Sequence, residues 1–138
     1  MKIYVPGTFD LLHQGHINLF KFAKKIGNEV IVALNIDAFV LQFKKTLPTM
    51  TYGERRLALE ACKYVDRVVP NMGGYDSKEC ILTVKPDVIL HGDDWTGESY
   101  YKQMGFTQEW LDAHGITMIY IPYTKGISSR GIKERIKK

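Results

Sequence analysis

Two periodicities alternate along this chain. Short, nearly continuous apolar runs at Ile3 to Val5, Glu29 to Asn35, Arg67 to Pro70, Val88 to His91 and Ile116 to Ile121 are too short and too β-branched for helices. They predict strands buried on both faces. Between the first two runs, from about Gln14, the positions Ile17, Phe20, Phe22, Ala23 and Ile26 recur at helical spacing. Asn18, Lys21, Lys24 and Lys25 lie mostly off that stripe, and Gly27 supplies a stop. Thr51-Tyr52-Gly53-Glu54 introduces a second helix through about Cys62, with Leu57, Leu59, Ala61 and Cys62 as its apolar contacts. Ser77 reads as the cap of a helix reaching about Val84. Glu98 to Met104 and Thr107 to His114 predict two helical pieces separated by Gly105, and Ser128 or Ser129 caps a last helix. Phe39 to Thr51 has mixed periodicity and contains Pro48, so it predicts a short helical turn followed by a mobile loop.

Strand and helix in alternation predict an α/β fold, a doubly wound parallel sheet covered on both faces, as a single domain over residues 1–138. In such sheets ligands bind outside the carboxyl ends of the strands. Four polar clusters fall at those ends: Gly7-Thr8-Phe9-Asp10, Asn35 with Asp37, Gly92-Asp93-Asp94-Trp95, and Thr124 to Ser129. They are expected to meet at one rim.

The opening corner carries the densest chemistry. Pro6-Gly7 ends the first strand, and Gly7, lacking a Cβ, allows close approach of backbone to a ligand. His13 and His16 then fall at or just before the first helical turn, where unpaired N–H groups and the positive dipole end favour a phosphate. Gly126, Ser128 and Ser129 open the last helix in a second arrangement suited to phosphates. A zinc site is disfavoured, because Cys62 and Cys80 are distant from the histidines and no further ligand has metal-site spacing.

Composition narrows the remaining classes. A length of 138 residues suffices to bury roughly two-thirds of the unfolded surface. The start MKIYVPGTFD lacks an export pattern, and no apolar run is long enough to span a membrane, so a cytoplasmic protein is expected. Cys62 and Cys80 are then free buried thiols rather than a disulfide. A net charge of +4 fits an anionic small substrate as well as nucleic acid, and the basic residues Lys133 to Lys138 read as a solvated helix face.

The full string Gly7-Thr8-Phe9-Asp10-Leu11-Leu12-His13-Gln14-Gly15-His16 resembles the cytidylyltransferase type of nucleotidyltransferase, in which this loop and helix hold a triphosphate. Joined to Gly92-Asp93-Asp94-Trp95 and to Pro122-Tyr123-Thr124-Lys125-Gly126-Ile127-Ser128-Ser129-Arg130, it resembles the glycerol-3-phosphate cytidylyltransferase family across nearly the whole chain. The resemblance implies a Rossmann-like sheet of the nucleotidyltransferase type and transfer of CMP from CTP to a small phosphorylated, phosphonate or phosphoramidate acceptor. Pyrophosphate would be released, Mg²⁺ would bind through the nucleotide phosphates, and the CDP-linked product would serve cell-surface polysaccharide synthesis. It further implies a homodimer with no nucleic-acid or membrane partner.

Carried over by position, His13, His16, Lys45 and Arg55 are the implied catalytic residues. CTP falls to Gly7, Thr8, Phe9, Asp10, His13 and His16, to Gly92, Asp94 and Trp95, and to Thr124, Gly126, Ile127, Ser128 and Ser129. Lys44 and Lys78 are implied on the acceptor side, the order of Lys44 and Lys45 being open. Three departures stand out: Tyr123 replaces the family's arginine, Lys125 its glutamate and Arg130 its last threonine, so that Lys125 or Arg130 is expected to return the lost charge. An ATP-using adenylyltransferase and a nucleotide-binding sensor without turnover are the alternatives. His91, at a strand end, and His114, at a helix end, are expected to matter less than His16.

Overall fold

A computed structural model of the chain describes residues 1–73, 75–92, 104–122, 124 and 126–137. Asp94, Trp95, Tyr123 and Lys125 lie outside the described residues, as does the predicted helix from Glu98 up to its last residue, Met104.

Five strands, β1 (Lys2–Gly7), β2 (Glu29–Asn35), β3 (Arg67–Asn71), β4 (Val88–Gly92) and β5 (Thr117–Ile121), form one sheet in the order β3-β2-β1-β4-β5. Every pairing is parallel. The cause is visible in the runs themselves: along β1 and β2 alternate residues enter opposite faces, and both faces are buried. Ile3, Val5, Val30, Val32 and Leu34 join Phe20 and Ala23 of α1 (Gln14–Ile26) and Leu59 of α3 (Tyr52–Glu60) in one core. Tyr4, Ile31 and Ala33 join Ile81 and Val84 of α4 (Tyr75–Val84) and Leu111 of α5 (Gln108–Ala113) in the other. A polar residue at any of these positions would face a dry layer, which is why neither strand shows a polar alternation.

The connections are helical. Between β2 and α3 lies α2 (Asp37–Lys44), two turns where only one was expected, closed by Lys45 in a left-handed conformation (φ 65°). The predicted mobile loop begins there, but its far end is fastened: Thr49 and Met50 donate their amides to Asp10. α2 is seated on a glycine. A Cβ at Gly73, whose φ is +82°, would lie 2.2 Å from the Phe39 ring, and Phe39 carries Phe43 at 5.0 Å between ring centroids.

Three local expectations fail for tertiary reasons. Phe22 lies on the stripe by spacing but at its margin, and it is partly solvent-exposed. Leu57 is 70% exposed, because α3 turns Leu59 and Arg55 inward instead. Ser77 does not cap α4, which begins two residues earlier; its hydroxyl donates to Asn71 Oδ1 at 2.9 Å. Both cysteines are free, though half-buried rather than buried. The last helix, α6 (Ser129–Lys137), has no buried residue. Among the described residues no helix is long and apolar enough to cross a membrane.

Candidate active site

The chain runs outward from β1 through β2 to β3 and then returns to place β4 on the other side of β1, so the order reverses between β1 and β4. α1, after β1, and α5, after β4, cover opposite faces of the sheet, and a crevice opens at the strand ends. A cavity of about 590 Å³ lies there. The described parts of all four strand-end clusters reach it or its immediate support.

The turn after β1 is tight because Phe9 and Leu11 both adopt left-handed backbone conformations, at φ 50° and 51°. Such a conformation costs about 1 kcal/mol or more for a residue with a side chain. Burial of Phe9 offsets it, since the ring packs edge-on against His16 (5.3 Å) and Phe20 (5.1 Å). The space over Gly7 is taken by that same ring: a Cβ at Gly7 would meet it at 2.7 Å. The glycine thus admits Phe9, and Phe9 sets the wall from which His16 projects.

His13 is the N-cap of α1. Its Nδ1 accepts from the Gly15 amide at 3.0 Å, while the Nδ1 of His16 accepts from the His13 amide at 3.2 Å. The two rings therefore form a reciprocal capping box, a task usually done by Ser or Thr with Glu or Gln. Both rings use the Nδ1 lone pair, so the proton of each neutral ring stands on Nε2, leaving that N–H to offer the cavity. The rings stack with centroids 3.8 Å apart. Burial holds His13 below its ordinary pKa. Burial, then the neighbouring His13, brings His16 down to about 3, against an opposing pull from Asp10. At neutral pH the pair is a pair of uncharged donors.

Asp10 lies beneath this corner as a fastener. Burial raises its pKa, but the Thr49 and Met50 amides, at 2.7 and 2.9 Å, and Lys133 outweigh that and keep the carboxyl below its usual range. Its carbonyl receives the Ser129 hydroxyl. Arg55 is fully buried and does not line the cavity. Nε donates to Met50 O at 3.1 Å, Nη1 to Thr8 O at 2.8 Å and Asn35 O at 2.9 Å, and Nη2 to Asp37 Oδ1 at 2.5 Å. It binds the ends of β1 and β2 to the loop before α3. Beside it runs a buried amide chain, Asn71 to Asn35 at 2.9 Å and Asn35 to Thr8 Oγ1 at 3.1 Å.

At the other wall, Ser128 caps α6 by accepting from the Gly131 amide at 2.9 Å. Ser129 spends its hydroxyl proton on Asp10, whereas Ser128 only accepts and keeps its own to donate, so the helix N-terminus and the Ser128 O–H are the anion-attracting elements here. Asn18 of α1 donates to Thr124 Oγ1 at 3.0 Å, linking the two corners.

Of the residues marked by the sequence, Gly7, Thr8, Phe9, Asp10, His13 and His16 line the cavity. Lys44, Gly92, Thr124, Ile127, Ser128 and Ser129 line it too, with Arg130 and His91. Lys45, Lys78 and Gly126 do not; Lys45 instead donates to Gln42 O at 2.9 Å. Asn18 and Lys133 line the cavity and were not singled out as site residues from the sequence, nor was Asn71 beneath it. Asn71 had a readable signal: it ends β3 in register with Asn35, which ends β2. Lys133 lay inside a basic run with nothing to distinguish it.

Residues 4–135 match the family model described as cytidylyltransferase-like. The chain is 38% identical over 135 residues to glycerol-3-phosphate cytidylyltransferase of Bacillus subtilis strain 168, covering 98% of this chain and 96% of that one. It is 34% identical to the Staphylococcus aureus protein of the same name, covering 98% and 94%. A lipopolysaccharide core biosynthesis protein from Thermoplasma volcanium has a similar solved structure, with TM-score 0.72, 27% identity and coverage of 92% of this chain and 98% of that one. A pantoate-beta-alanine ligase from Francisella tularensis, at 17% identity and TM-score 0.64 over 96% of this chain and 64% of that one, shares the fold.

Proposed function

The chain belongs to the cytidylyltransferase-like family, and from that premise we propose that it transfers CMP from CTP to a small phosphorylated acceptor, releasing pyrophosphate. A phosphate oxygen of the acceptor attacks the α-phosphorus in line; the new O–P bond forms as the bond to pyrophosphate breaks, and no covalent enzyme intermediate is needed. The observation that carries this reading is the histidine capping box, which aligns two neutral rings with protons on Nε2 beside a helix N-terminus in the cavity. Such donors cost no reorganisation when charge builds on the reacting phosphate.

Roles follow from position. His13 and His16 donate to the reacting phosphate, and the N-termini of α1 and α6 draw the triphosphate. Lys44, at the cavity wall, faces the acceptor. Lys45 stays a candidate for the same task in a ligand-bound state. Arg55 positions the strand ends and is not a group that touches substrate in our reading. Gly92, Asp94 and Trp95 are assigned to the nucleoside. Mg²⁺ is read as part of the nucleotide substrate, carried on its phosphates, as the family resemblance implies.

Glycerol 3-phosphate is the first acceptor to test, and a role in building cell-surface polymers accords with it. The test is pyrophosphate release from CTP with a panel of phosphorylated alcohols, amino-alcohol phosphates and phosphonates, with ATP as competitor. Release with CTP and one acceptor class is expected. Turnover with ATP alone would move the assignment to an adenylyltransferase, and nucleotide binding with no turnover on any acceptor would favour a sensor. A homodimer is proposed by analogy and is checked by sedimentation.

A further inference from the structure

We propose that Lys133 is a phosphate-contacting residue of the nucleotide site, resting on the reading of the cavity as a CTP site. Three cations line the cavity among the described residues: Lys44, Arg130 and Lys133. The Arg130 side chain is 91% exposed and lies 3.9 Å from Glu134. Lys133 is one turn beyond Ser129 on α6, and the two reach the same residue, Asp10: Ser129 through its hydroxyl to the carbonyl, Lys133 through Nζ to Oδ2 at 3.4 Å.

That ion pair is loose, and Asp10 does not depend on it. Oδ2 already accepts from Thr49 at 2.7 Å and Oδ1 from Met50 at 2.9 Å. The lysine side chain is 40% exposed, on a helix with no buried residue, so its head is free to turn with little loss. Its charge does have a use. A triphosphate drawn to the N-termini of α1 and α6 comes close to the Asp10 carboxylate, a repulsion that a neighbouring ammonium offsets and a bound phosphate oxygen would compete for. Lys133 thus rests on Asp10 and turns to the phosphates when they arrive.

Calorimetric titration of the native chain, Lys133→Met and Lys133→Arg with MgCTP and with pyrophosphate as a phosphate-only probe tests this, alongside thermal unfolding without ligand. Loss of one charge-assisted contact should weaken both ligands about ten- to a hundredfold in Lys133→Met. Lys133→Arg should stay within a few-fold of native, kcat at saturating CTP should change less than affinity, and the ligand-free unfolding midpoints should agree within about 2 °C. Native-like affinity in Lys133→Met overturns the proposal. So does a fall in its ligand-free midpoint without a fall in affinity, or failure to fold, either of which makes the lysine a structural partner of Asp10. A native chain that binds no CTP would instead remove the underlying reading of the site.

Discussion

At the first junction facing the cavity, β1 into α1, the helix start is capped by two side chains that also line the cavity, over the buried ring of Phe9. At the second, β5 into α6, a serine does the capping, no helical residue is buried, and the helix is joined to the first corner through polar contacts at Thr124, Ser129 and Lys133. Both present a helix N-terminus to the same space. A corner whose proposed donors are also its structural caps holds geometry, whereas one attached by polar contacts at a solvent-facing surface can adjust. Under the roles proposed above, reaction falls to the first corner and adjustment to the ligand to the second.

The strongest way to break this contrast is His16→Gln. Glutamine is the usual residue at the third position of a capping box, so the fold and CTP affinity should be kept while the imidazole donor is lost. Turnover should fall about a hundredfold to a thousandfold, measured as kcat against the unfolding midpoint and CTP affinity of the same variant. A full kcat would make His16 only a cap. Arg55→Lys comes next: a single ammonium cannot serve Met50, Thr8, Asn35 and Asp37 together. A loss of roughly 3 kcal/mol in denaturant unfolding is expected; a larger effect on kcat than on stability would return Arg55 to the catalytic set.

The protons of the first corner offer a third test. Between the ordinary value of 6.5 and about 3, the unfolded chain takes a proton at His16 that the folded chain refuses. His16 therefore contributes fully above pH 6.5, and stability declines as pH falls through that window. Unfolding midpoints from pH 7 to pH 4 should drop less steeply in His16→Gln than in the native chain; equal slopes would show that the ring titrates freely. The smallest effect belongs to the second corner. Ser128→Ala removes a cap worth about 1 kcal/mol, and since no residue of α6 is fully buried, the loss should appear as faster amide exchange in residues 129–137 with little change in global unfolding.

The centre of the sheet was legible because both faces of β1 and β2 are dry, which writes them as unbroken apolar runs such as Val30 to Leu34, whereas β3 and β5 are partly exposed and carry the same sign less purely. Its rim was legible too, since Gly7-Thr8, Asn35, Gly92 and Thr124 follow the strands directly. What the sequence did not disclose is the direction each polar group takes. Arg55 and Lys45 look alike as cations near a loop, yet one is held inside the protein by three carbonyls and an aspartate, and the other bends back to its own helix. Asp10 was read only as a ligand residue; the loop 39 residues later makes it a fastener as well. Leu57 and Leu59 differ only in which side of α3 the sheet occupies. Each of these depends on contacts distant in sequence, which periodicity does not carry.

The contact of Gly73 with Phe39 has a consequence for how this scaffold tolerates change. The distance between α2 and the sheet is set by a missing side chain on a different connection, one from which no described residue lines the cavity. A methyl added at position 73 would act as a shim, lifting Phe39, with it Phe43, and so the cavity wall that carries Lys44, while the histidines stay seated on Phe9. A substitution at position 73 would therefore act first on the side of the binding space that carries Lys44, with backbone strain added by the positive φ, and would reach the histidine corner only through Asp37 and Arg55.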